Sequence, residues 1–149
     1  MKFKTHLLFA FLLFLVFWPF FEGLDVEKWI FAIVFLVAAV FPDIDSRYSK
    51  IGRHFPFGWF LKHRNFFHSF LFCAIVSLTI EFFFGGYGFA AFFGFVTHLL
   101  LDSFNHQGIS LFYPFSKYRV KGPFKTDGFG EKILFFSFLI GLIFMLFLG

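Results

Sequence analysis

His98 and Asp102 stand four residues apart in the stretch THLLLD, inside and at the end of an apolar run. On a helix that spacing puts an imidazole and a carboxylate on one face, one turn apart. Two more pairs border apolar runs: Asp43 and Asp45 in FPDID, and His63 and His68 in HRNFFHS. His6 begins one run and Glu131, in GFGEKI, opens another. Imidazole and carboxylate donors without thiolates suit a divalent ion such as zinc, manganese or iron. Eight such residues exceed the four ligands of one tetrahedral zinc and fit a centre of one or two ions. Such a centre acidifies a water and clamps the oxygens of an ester or phosphoester, which is hydrolytic chemistry. No rival nucleophile appears, because the serines lack a GxSxG turn and the single cysteine, Cys73, lies in an apolar run. One cysteine also excludes an intrachain disulfide and a zinc site built on cysteine pairs.

Each residue also has a plainer reading. His98 and Asp102 can form an interhelical hydrogen bond. Asp43 and Asp45 can cap a helix or make an Asx turn with Ser46. Were FPDID extended, however, alternate side chains would share a face and both carboxylates could point at one centre. His6 can be an interfacial polar residue, and Glu131 a first-turn carboxylate favoured by the helix dipole. His54 and His106 have no supporting pattern, and Glu81 is expected to reach the outer interface.

The elements that must position these residues follow from composition. In 149 residues, 59% are hydrophobic, 15% are charged and Phe occurs 34 times. The mean hydropathy is +0.81. A soluble domain carries roughly 45–50% apolar and about 25% charged residues, so an ordinary soluble globule and a disordered chain are both excluded. Five apolar runs are visible, His6–Phe21, Val26–Phe41, Phe66–Phe84, Tyr87–Leu101 and Lys132–Leu148. Each is near the lower limit for a spanning helix, about 17–25 residues. The fold expected is therefore all-α: one domain over residues 1–149, a polytopic membrane bundle of about five short transmembrane helices. The first run lacks a small-x-small cleavage site and is expected to remain as a helix.

With five spans, 12 of the 13 Lys and Arg residues fall on one side and Lys28 alone on the other. The positive-inside rule makes the first side cytoplasmic, with the N-terminus inside and the C-terminus outside. Topology thus accounts for the net charge of +4, and nucleic acid is not an expected partner. The lipid bilayer is. All six histidines and all eight donor candidates fall on the cytoplasmic face.

The motifs HLLFA, FPDID, HRNFFHS, GFVTHLLLDSFNHQGISLFYP and GFGEKI occur in an order and spacing that resembles the YdjM-like family of inner-membrane metal-dependent hydrolases. The resemblance spans nearly the whole chain. It implies a metal site on His6, Asp43, Asp45, His63, His68, His98, Asp102 and Glu131. More remotely, the chain is similar to the helical zinc-dependent phospholipase C and nuclease group, which cleaves phosphoesters. The expected activity is hydrolysis of a lipid or lipid-linked phosphoester. Asp43 and Asp45 would bridge ions or orient water, and Arg64 would steady an anionic group through bidentate hydrogen bonds. The alternative is a non-enzymatic metal-binding scaffold or transporter subunit.

Overall fold

The computed structural model describes residues 1–45 and 65–148, the side chains of Asp45 and Leu148 excepted. His54, His63 and Arg64 lie outside the described residues. The described residues form five α-helices: α1 (Phe3–Phe17), α2 (Lys28–Val40), α3 (Phe70–Phe84), α4 (Tyr87–Ser103) and α5 (Phe129–Leu148). Short 3-10 turns at Trp18–Phe20, Phe41–Asp45 and Phe66–His68 adjoin α1, α2 and α3. Among the described residues, strand pairing is limited to two isolated bridges, Asn105 with Phe124 and Ile109 with Val120.

Local chemistry sets the helix ends. Pro19 sits in the turn after α1 and Pro42 in the turn after α2, where neither ring interrupts a helical hydrogen bond. Ser69 caps α3, its hydroxyl accepting from the Phe72 amide and donating to the Phe66 carbonyl. Helix α3 therefore starts at Phe70, and His68 belongs to the preceding turn rather than to the helix. Gly85 and Gly86, both at positive φ, reverse the chain between α3 and α4. Glu81 accepts from the Gly86 and Gly88 amides. It caps the start of α4, where the helix dipole favours an anion, instead of extending to the interface.

Helix α4 is the hub, packed against α1, α2 and α3, while α5 packs on α1. Its inward face is lined with small residues: Gly88, Ala90, Ala91, Gly94 and Thr97 are all buried. Small residues let backbones approach closely where no solvent drives helices together. Phe14, Trp18, Phe31 and Phe35 form one apolar cluster, and Phe72, Phe95, Leu99 and Ile109 belong to another.

Polar side chains share the interior of the bundle with those apolar clusters, and large hydrophobic side chains also cover its outside. His6, His68, His98, Asp102 and Asn105 are among its most completely buried side chains, whereas Phe82 is 83% and Phe147 86% exposed. Lipid tolerates that outer surface, and ionisable groups within a membrane face the bundle interior. Among the described residues, two stretches are long and apolar enough to cross a bilayer, Phe3–Phe20 and Phe129–Phe147. α3 is apolar but shorter, and α2 and α4 have 13 and 17 residues. Of the five expected spans, two therefore reach spanning length in the structure. Caps and 3-10 turns end α2 and α3 short of their apolar runs, whereas α4 and α5 extend beyond theirs.

A β-carbon at Gly94 would lie 2.2 Å from the Phe35 carbonyl oxygen and 2.9 Å from Ala38 Cβ. Gly94→Ala is accordingly expected to push α2 from α4 and to destabilise the fold by about 1–3 kcal/mol. Nothing lies within 4 Å of a β-carbon at Gly23, so Gly23→Ala is the neutral comparison. Thermal unfolding of both variants in detergent checks this; equal midpoints would contradict the close α2–α4 approach.

Candidate metal centre

Four elements bring five side chains to one end of the bundle. α1 supplies His6, the turn after α2 supplies Asp43, the turn before α3 supplies His68, and α4 supplies His98 and Asp102. All five are buried.

Asp102 lies at the middle of the group. Its Oδ1 is 2.8 Å from the amino nitrogen of Met1 and 3.3 Å from His6 Nε2. Its Oδ2 is 3.5 Å from His68 Nε2 and 3.8 Å from His98 Nε2. The His98–Asp102 distance is the one-turn relation expected from their spacing. Asp43 Oδ1 approaches His98 Nε2 at 3.9 Å.

His98 is oriented by the backbone. Its Nδ1 lies 2.8 Å from the Ala39 carbonyl oxygen in the last turn of α2. A carbonyl only accepts, so Nδ1 carries the proton and the neutral ring presents its Nε2 lone pair to the interior. A histidine ligand held by a backbone carbonyl at its other nitrogen is the usual arrangement at metal centres. The His6 ring stacks on His98 with centroids 4.1 Å apart and planes 13° from parallel. Of the His6 ring nitrogens, Nε2 faces the Asp102 carboxylate and Nδ1 is buried without a hydrogen bond. Buried polar atoms without such a partner are uncommon and call for an explanation, an ion among them.

The donors fall into two overlapping sets, His6–His98–Asp102 and Asp43–His68–His98. Within each, the ligand atoms lie within 4.8 Å of one another. His68 Nε2 and His98 Nε2 are 3.2 Å apart. Two nitrogens on one tetrahedral zinc, with bonds of about 2.0–2.1 Å, would be about 3.3–3.4 Å apart. Donor type, burial, ring orientation and spacing thus fit a divalent ion.

The remaining expectations fare differently. FPDID forms a 3-10 turn, not an extended segment, so alternation along a strand gives no reason for Asp43 and Asp45 to converge. Asp45 is described through its backbone only. Glu131 is buried at the same end but lies outside both donor sets. Its Oε1 accepts from the Lys2 amide and the Thr5 hydroxyl, and its Oε2 from the Asp127 amide. It therefore ties the start of α1 to the start of α5. Lys2 reinforces the tie by pairing with Asp127, and its hydrogen bond and charge hold the Asp127 carboxyl below the ordinary range. His106 is exposed.

Sequence reasoning missed three participants. The Ala39 carbonyl carries no side-chain signal. Thr5 was overshadowed by its neighbour His6. Asn105, fully buried, anchors the segment after α4: its backbone oxygen accepts from Gly108 and Gly122, and its amide donates to the Thr126 hydroxyl. Its position three residues beyond Asp102 was the available clue.

Glu131→Gln replaces one acceptor with a donor facing donors. It is expected to lower stability by about 1–3 kcal/mol while leaving metal content unchanged. Elemental analysis and thermal unfolding of the same preparation check this; lost metal at unaltered stability would make Glu131 a ligand instead.

A family model described as YdjM inner membrane protein matches residues 1–148. The chain is also similar to the uncharacterized protein YvsG of Bacillus subtilis (strain 168), at 36% identity over 107 residues. That match covers 66% of this chain and 66% of the relative. No solved structure matches. With the family match running through every helix and every described donor, the chain belongs to the YdjM inner membrane protein family.

Proposed function

We propose that this chain is a polytopic inner-membrane hydrolase that uses one or two divalent ions, zinc foremost, to cleave a phosphoester. The observation that carries the reading is the place of His98 in both buried donor sets, with its Nε2 turned inward by the Ala39 carbonyl and 3.2 Å from His68 Nε2. His6, His68, His98, Asp43 and Asp102 would hold the metal. When bound, the ion supplies Lewis acidity toward a phosphoryl oxygen and acidifies water.

The chain's own residues prepare that chemistry. Stacking on His98 holds the His6 ring in place. Asp102 supplies negative charge among three imidazoles, which favours a cation over an apolar filling. Asp43, whose side chain is 12% exposed against 1% or less for Asp102, His6, His68 and His98, is the donor nearest to solvent. It is the group we assign to orient water and accept its proton.

All five helices are read as spans. α2, α3 and α4 are about 20–26 Å long at 1.5 Å per residue, shorter than a hydrocarbon core of about 30 Å. Exposed aromatics at their outer ends, Trp29 on α2 and Phe82, Phe83 and Phe84 on α3, support extension into the interface or local thinning. The basic segments then lie with the metal centre on the cytoplasmic side, the N-terminus inside and the C-terminus outside. A transport pathway has less support, because the apolar cluster of Phe14, Phe31 and Phe35 follows the polar layer along the bundle.

Elemental analysis of detergent-purified protein tests the reading. Wild type is expected to hold one or two equivalents of zinc, manganese or iron. His98→Gln and Asp102→Asn should each lower the content by at least about tenfold, as removing a ligand or its support does. Thermal unfolding identifies variants that merely fail to fold. A metal-loaded wild type should cleave a phosphodiester probe and lose that activity with a chelator. Wild type without metal after reconstitution would sink the proposal.

A further inference from the structure

Beside the metal centre the structure contains a second polar site. A cavity of about 360 Å³ is lined by Asn65, Ser110, Tyr113, Lys117 and Arg119. Its walls are the residue opening the turn that carries His68 and the loop that follows α4. The two are joined directly: the Arg119 guanidinium donates to Asn65 Oδ1 at 3.2 Å, and the Phe70 amide donates to the Leu111 carbonyl at 2.9 Å. The loop is held in shape by the Ile109–Val120 pairing, with Ile109 fully buried. Asn65 also accepts the backbone hydrogen bond of His68. One wall of the cavity is thus one short turn from a metal donor.

The lining is selective in its chemistry. It has two cations, two hydroxyls and an amide, and no carboxylate. Arg119 uses one bond on Asn65 and retains other guanidinium donors of its five, arranged as a fork suited to tetrahedral oxyanions. Phe112, Phe115 and Tyr118 are exposed on the same loop, Phe115 by 86%. Exposed aromatics beside Lys and Arg are the composition of a segment at headgroup depth.

We propose that this cavity binds the phosphoryl group of a phosphoester, with Arg119 and Lys117 neutralising its charge and the Ser110 and Tyr113 hydroxyls hydrogen bonding to its oxygens. The inference rests on the phosphoester reading of the metal centre and gives that reading a substrate subsite. The exposed aromatics on the same loop make a phospholipid headgroup the source favoured over a soluble phosphoester.

The full chain in a maltoside detergent is titrated with short-chain phosphatidylglycerol, with a matched phosphate-free diacylglycerol and with inorganic phosphate, and binding is read by native mass spectrometry and calorimetry. Phosphatidylglycerol is expected to bind and the diacylglycerol not to. Arg119→Gln and Lys117→Gln should each weaken binding about tenfold, the loss of one charge-assisted contact. Lys125→Gln, an exposed lysine outside the cavity, should leave it unchanged. Lys117 is itself exposed, so its variant tests the cavity even if Arg119→Gln perturbs folding. Binding of inorganic phosphate but not phosphatidylglycerol, still sensitive to both variants, supports the cavity with a soluble phosphoester as its source. Equal binding by wild type and both variants, or equal binding of the diacylglycerol, overturns the proposal. Metal content measured on the same samples separates the two readings: absent metal with intact phosphate binding sinks the hydrolase alone, and the converse sinks the cavity alone.

Discussion

A carboxylate sealed inside an apolar bundle must be surrounded by groups that compensate its charge, and Asp102 imposes that requirement on this protein. The side chain is 1% exposed. Leaving it uncompensated would cost several kcal/mol or force it to neutralise. The structure answers with polar groups from three directions: the Met1 amino nitrogen just before α1 and His6 on it, His68 from the turn before α3, and His98 from the helix that carries Asp102 itself. Those groups hold the ends of separate elements together. The polar layer is thus both the candidate site and the structural junction of the fold.

Placement of that layer depends on how closely α4 approaches its neighbours. Gly94 lets α4 sit against the backbone of α2 near Phe35. The same contact brings His98, one turn further along, within hydrogen-bonding distance of Ala39. Packing therefore selects the imidazole tautomer, and the tautomer sets which nitrogen faces the other donors. Glu131 works differently. It gathers amides and a hydroxyl at the junction of α1 and α5, so a residue of ligand type acts as a clamp.

Lipid on the outside frees this small chain from the usual division of residues. Phe, Leu and Ile occupy the surface as well as the core, and the buried polar groups are held by pairing with one another. The segment between α4 and α5 closes over one end of the bundle through Asn105, and it contributes the cationic cavity. The candidate metal donors and the cationic cavity consequently adjoin through the Asn65–His68 turn.

The helical class, the membrane setting and the family were legible in the one-dimensional sequence, which also singled out the histidines and aspartates that the structure brings together. These are properties of composition, apolar run length and one-dimensional spacing; the four-residue step from His98 to Asp102 already implies a shared helix face. Helix ends were less legible, because caps such as Ser69 and Glu81 and the 3-10 turn at FPDID depend on hydrogen bonds between particular neighbours. Only tertiary structure decided which donors meet. His6, His68 and Asp102 are far apart along the chain, and no periodicity links them. It separated Glu131 from the donor sets, gave the Ala39 carbonyl its role and assembled Asn65 with Lys117 and Arg119. Each of these rests on a distance between elements, which is set by how side chains of given size let helices pack, and that information is not carried by any one segment.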